Sequence, residues 1–192
     1  MALLAVVASA ASCGGGGGKA AAQSGTYVGK VQGTNAYIAL VSDQRAILGY
    51  VCDARKVSTW FGKRSLSDSS AKLASRHGTP LGEATLSGDR ATGQVAIAGR
   101  RHAFSARLAS GKAGLYREAS ADPGEPGFEK PGFRETGWIA LPDGSVRGRT
   151  NLISMLGMFE TTSAPSSPIG KPVSSELVWP EQERYREARG GD

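Results

Sequence analysis

At 192 residues the chain suits one domain with appendages or two very small ones. No apolar run reaches the roughly 20 residues that a membrane-spanning helix needs, and 27 glycines without a collagen period suit short strands joined by tight turns. The formal charge of +6 favours anionic partners, but the basic residues are scattered and no nucleic-acid-binding motif occurs, so nucleic acid is not an expected partner.

Met1–Ser12 (MALLAVVASAAS) is apolar and ends in small residues, with Cys13 directly after it. Ala2–Ala11 has the length of a secretory hydrophobic region and is too short for a membrane span. Residues 1–12 therefore read as a signal peptide. Gly14–Gly18 is unbroken glycine and continues through Lys19–Gly25. Such a segment stays a flexible coil and reaches about 20 Å over about 13 residues. A tether behind a cysteine makes sense when that cysteine is held at a surface. Cys13 and Cys52 are the only two cysteines, so if Cys13 is engaged elsewhere Cys52 has no intramolecular partner. Cys52 closes the apolar run Ile47–Cys52 and reads as a small core hydrophobe.

From Thr26 onward short β-type runs alternate with turn residues. Expected strands are Thr26–Gln32, Ala36–Val41, Ala46–Cys52, Val57–Gly62, Gly82–Leu86, Ala91–Ala98, His102–Leu108, Gly114–Glu118, Trp138–Leu141 and Ser145–Thr150. Ser65–Ala74 (SLSDSSAKLA) fits either a capped helical turn or a polar loop. Ser120–Glu135, with its two Pro-Gly-Phe triplets, reads as an irregular loop whose rings either plug the barrel end or form a contact surface. Asn151–Phe159 is apolar and packs on the domain as a strand or helix. Thr161–Ser175 reads as a Ser/Pro linker and Glu176–Arg189 as a charged tail. The fold class is therefore all-β: an antiparallel meander of about eight to ten short strands, forming a small barrel or sandwich over residues 26–150. Residues 13–25 are the tether, 151–160 the apolar segment, and 161–192 the linker and tail.

Ala10-Ala11-Ser12-Cys13 resembles the lipobox of a bacterial lipoprotein precursor, in which the cysteine is acylated and becomes the new N-terminus. Ala10 stands where leucine is usual, and no Lys or Arg precedes the apolar run. The resemblance implies an extracytoplasmic address with a lipid anchor on Cys13; plain secretion is the alternative. Tyr27-Val28-Gly29-Lys30, Tyr50-Val51-Cys52-Asp53, Ala113–Arg117 and Gly137–Gly144 (GWIALPDG) are similar to a group of uncharacterised exported actinobacterial proteins, a likeness that brings no activity with it.

Chemistry is sparsely signalled. The only histidines are His77 and His102, and neither sits in a spacing that would build a zinc site. There is no Gly-x-Ser-x-Gly elbow, and Gly14–Gly18 is not followed by a phosphate-loop Lys. Asp43, Asp89 and Asp143 sit in turns, where an aspartate bonds the local backbone. No cofactor or metal is expected, and no catalytic constellation is recognisable. The leading expectation is an anchored binding or structural module, with Tyr27, Tyr37, Trp60 and Trp138 as ligand-contact aromatics at a barrel mouth. Its partners would be an envelope polymer, a small ligand or another protein. The alternatives are an envelope hydrolase with an unrecognised site, and a basic protein that binds anionic polymers non-specifically.

Overall fold

Alternation of apolar and polar side chains, broken by tight turns, organises the first eight strands. The computed structural model describes residues 21–76, 78–122, 132–154, 159–164 and 170–174. The strands are β1 (Gly25–Val31), β2 (Tyr37–Ser42), β3 (Ala46–Cys52), β4 (Ser58–Ser65), β5 (Ser70–Ala74), β6 (Pro80–Ser87), β7 (Arg90–Ile97) and β8 (Arg100–Leu108). β1 pairs antiparallel with both β2 and β8, and the remaining neighbours follow in chain order. β4 and β5 share no continuous ladder and are joined by isolated bridges, Phe61–Ser75 and, in the hairpin between them, Ser67–Ser70. The result is a nearly closed up-and-down barrel, in which pairing around the ring leaves a single weak seam.

Its interior is filled by one face of each strand, including Tyr27, Ile38, Leu40, Phe61, Leu86 and Phe104. Close approach of strands demands glycine at several interior positions, Gly29 among them. A Cβ on Gly29 would lie 2.0 Å from the Ser105 carbonyl oxygen, which no side chain tolerates.

A second sheet follows from β9 (Gly114–Asp122), β10 (Gly132–Ala140), β11 (Val146–Ser154), β12 (Phe159–Ser163) and β13 (Lys171–Pro172). Its order is β12-β11-β10-β9-β13, antiparallel throughout. Leu115, Ile139, Leu141 and Val173 from this sheet pack on Val28, Val41, Leu48, Tyr50 and Trp60, which point outward from β1–β4. Apolar residues on both faces of β2 and β3 follow directly: one face fills the barrel and the other is roofed by the second sheet.

The all-β antiparallel meander matches the sequence expectation, with a barrel as its main body and a sheet packed on its flank. Several boundaries differ. Ser65–Ala74 contributes strand β5, not a helical turn, because Asp68 and Ser69 take φ of 48° and 61° and close a two-residue hairpin between Ser67 and Ser70. Such a turn matches strand twist, and Ala71 and Leu73 then face the core. The ends of the Ser120–Glu135 stretch are strand as well: Phe133 pairs with Ala121 and Ile153. Residues 123–131 between them, and with them the first Pro-Gly-Phe triplet, lie outside the described residues. Pairing also continues past Thr150, through β12 and β13, so part of the expected Ser/Pro linker is sheet.

Candidate functional site

The four aromatics singled out from the sequence occupy separate environments. Tyr27 lies inside the barrel, fully buried. Its hydroxyl is 2.9 Å from the carbonyls of Gln23 and Gly88, and burial raises its pKa. Trp60 faces out of the barrel beneath the second sheet, its ring 4.5 Å from that of Tyr50 at an interplanar angle of 36°. Tyr37 is half-buried, with the Arg147 guanidinium 5.8 Å from its ring centroid, within cation–π range. Trp138 is buried on β10, on the face opposite Glu135 and Gly137 by strand alternation. The structure therefore brings Trp60 together with Tyr50, not with Tyr27. Cys13 and His77 lie outside the described residues. His102 places Nδ1 3.2 Å from the Gln32 carbonyl oxygen.

The densest chemistry is buried between barrel and second sheet. Glu135 on β10 has no exposed side-chain surface. It accepts from Arg76 Nη2 through Oε2 and from Arg117 Nε through Oε1, both at 2.6 Å. These are charge-assisted bonds from two different bodies. Arg117 belongs to β9 of the second sheet, whereas Arg76 follows β5 at the barrel seam. In the neighbouring register row, Arg117 and Arg149 flank Gly137 from either side. Gly137 must lack a side chain: a Cβ there would lie 2.8 Å from Trp60 Cζ2 and 2.9 Å from Tyr50 Cζ. Rings of the barrel thus fill the gap between two arginines of the sheet.

Around this cluster the titratable groups are strongly conditioned. Burial pushes the Tyr50 phenol well above its ordinary range, and its Oη lies 2.8 Å from Ser58 Oγ. Burial likewise raises the Cys52 thiol, although Sγ accepts from the Ala54 N–H at 3.2 Å. Cys52 is a free, buried cysteine. Partial burial works against ionised Asp53, but its Oδ1 accepts from the N–H groups of Arg55, Lys56 and Val57 at 2.7–2.8 Å. Together with the Arg149 charge these bonds hold the carboxyl below the usual range. Asp43 and Asp143 make the same kind of turn bonds, to Arg45 and Ala46 and to Ser145. Among the described residues no group of three His, Cys, Asp or Glu side chains is placed to hold a metal ion.

Little in the sequence marks Glu135, which falls inside the stretch that reads as an irregular loop. The one available signal is period-two spacing: Glu135, Gly137 and Ile139 share a face, so a carboxylate shares the side of an apolar core residue. Arg117 and Arg149 are invisible as partners until β9, β10 and β11 are aligned.

The outward side of β5–β7 carries a groove of about 640 Å³ lined by Arg64, Ser67, Ser70, Lys72, Glu83 and Thr85 among others. Ser70 and Thr85 hydroxyls are 2.9 Å apart. Lys72 and Glu83 pair at 2.7 Å with Lys72 84% exposed, an arrangement that contributes little stability. The Lys72 hydrogen bond lowers the Glu83 carboxyl. No family model matches this chain, and no curated protein or solved structure matches it either.

Proposed function

We propose that this chain is an exported lipoprotein, held at the outer side of the cytoplasmic membrane through Cys13, that displays its barrel as a binding or structural module. The observation that carries the reading is the filled interior. Tyr27, Leu40, Phe61 and Phe104 belong to the buried cluster inside the ring. A small barrel holds a ligand only when its interior is left open. This one is built for contacts on its outside, with an envelope polymer, a lipid surface or another protein. Support for the address comes from the sequence: an apolar leader, small residues before Cys13, and a glycine tether behind it.

The test is intact mass of the protein recovered from membranes, beside a Cys13→Ala form. The native chain should carry added mass of diacyl lipid and remain with membranes, since two chains anchor durably where one does not. The variant should lose both. Recovery of an unlipidated native chain, with both forms in the soluble fraction, would overturn the anchor.

A further inference from the structure

We propose that the outward face of β7, β8 and β1, which carries Lys30, Arg90, Arg101 and Arg107, lies flat on the anionic phospholipid headgroups of the membrane. The second sheet roofs β2–β4 and the Val28 position of β1, whereas Lys30 on β1 is exposed and the side chains that point out of β5–β8 lie beyond that cluster. By alternation against the core positions of each strand, the outward charges on β1 and β5–β8 are Lys30, Lys72, Arg90, Arg101, Arg107 and Glu83. Five cations face one carboxylate, and all six side chains are exposed. Glu83 is engaged by Lys72. Among the described residues, Lys30, Arg90, Arg101 and Arg107 enter no ion pair.

Register concentrates this charge. Arg90 stands directly opposite Arg107, a like-charge cross-strand pair that opposes folding. An anion lying over the two would relieve it. Between the cations runs a ladder of hydroxyls, Ser70, Thr85, Thr92 and Ser105, each opposite the next, with Lys30 opposite Ser105. Hydroxyl donors and guanidinium groups are the ligands that phosphate oxygens take. The face carries no aromatic ring, so it offers neither a stacking platform for bases nor a hot-spot anchor for a protein.

The chain's path supplies the occupant. Ala22 bridges to Gly88, and Leu108 N–H donates to the Asp89 carbonyl, so the segment leading from Cys13 enters beside Arg90 and Arg107. The proposal rests on the anchored reading only in placing a membrane within reach of the tether. A basic face next to the attachment point would hold the barrel down on the bilayer, each cation adding about five-fold to partitioning.

The test uses the full chain with Cys13→Ala, so that vesicle binding is measured independently of any acyl group. Sedimentation with phosphatidylglycerol–phosphatidylcholine vesicles is compared with pure phosphatidylcholine. Binding should require the anionic lipid and fall at least ten-fold between roughly 0.01 M and 1 M salt, as the screening length shrinks from about 30 Å to about 3 Å. Arg90→Glu with Arg101→Glu should abolish it. Arg55→Glu with Lys56→Glu, an equal charge change in the exposed β3–β4 turn, should leave most of it. Arg107→Glu adds a readout that a purely structural role would not give: it should weaken vesicle binding while raising thermal stability, by pairing with Arg90. Equal losses from both double variants would reduce the effect to net charge and overturn the face. Equal binding to uncharged vesicles would attribute it to the apolar N-terminal segment, and tighter capture by a soluble acidic polysaccharide at matched salt would name a different partner; either outcome overturns the proposal. Loss of the anchor, read by mass on the native chain, leaves this measurement standing.

Discussion

Glu135 accepts from two guanidinium groups that come from different sheets, with none of its own side chain exposed. Removing such a carboxylate leaves buried positive charge behind, and that penalty exceeds what the pair itself contributes. Glu135→Ala should therefore cost about 3–5 kcal/mol by urea denaturation. Glu135→Gln, which keeps the shape and one acceptor oxygen, should cost less. A loss below about 1 kcal/mol for the alanine variant would mean that the arginines find water, and the interlock idea fails. Asp53 is a milder case. Three N–H groups converge on Oδ1, so Asp53→Ala should cost about 1–2 kcal/mol, within the range for hydrogen bonds to a charged group at a partly exposed site. Its folded pKa is lowered. The contribution is thus present above the ordinary carboxylate pKa and is lost as pH falls through the depressed folded value. Parallel acid titrations of the native and variant midpoints should converge below about pH 4.

The hairpin joining β4 to β5 shows how an element can be forced by its surroundings. Asp68 and Ser69 both hold positive φ, a conformation that costs non-glycine residues about 1 kcal/mol. Asp68→Asn with Ser69→Gly should relieve it and raise the midpoint by a few degrees. Unchanged melting would show that the turn is not strained. The same segment explains what the sequence could and could not convey. Ala46–Cys52 was legible to the residue because apolar side chains on both its faces leave no other element to form. Ser65–Ala74 was not, since Asp and Ser in series signal a helix cap as readily as a tight turn, and only pairing with β6 decides. The antiparallel meander was foreshadowed by the regular strand spacing, which left barrel and sandwich both open. In the second sheet parts of β9, β10 and β11 were expected as strands, whereas β12 and β13 were not, because they draw on Ser, Thr and Pro, whose strand character comes from neighbours already in place. The Glu135 cluster is long-range by nature: Arg76 is 59 residues away in sequence.

Barrel and second sheet share one apolar interface, and at its centre Tyr50 donates or accepts across 2.8 Å to Ser58 while stacking on Trp60. The molecule should unfold as one unit, and its alkaline limit should be set at this interface. Burial raises the Tyr50 pKa well above the ordinary value of 10.0. The sign follows from linkage: stability from the neutral phenol is fully present below about pH 10 and is lost as pH rises through the raised folded value. Tyr50→Phe removes the hydroxyl and its partner bond, costing about 1 kcal/mol at neutral pH. It also removes the group that must ionise. Native and variant denaturation midpoints should therefore lie apart at pH 7, converge above pH 10 and then cross, with the phenylalanine form the more stable in strong alkali. Cys52, whose thiol is raised by burial and hydrogen-bonds with Tyr50, makes the same kind of demand from about pH 9, so both proteins should carry Cys52→Ala and differ in the phenol alone. A gap that stays constant across the range would mean that hydroxide reaches the phenol in the folded state, and that the second sheet lifts from the barrel without global unfolding.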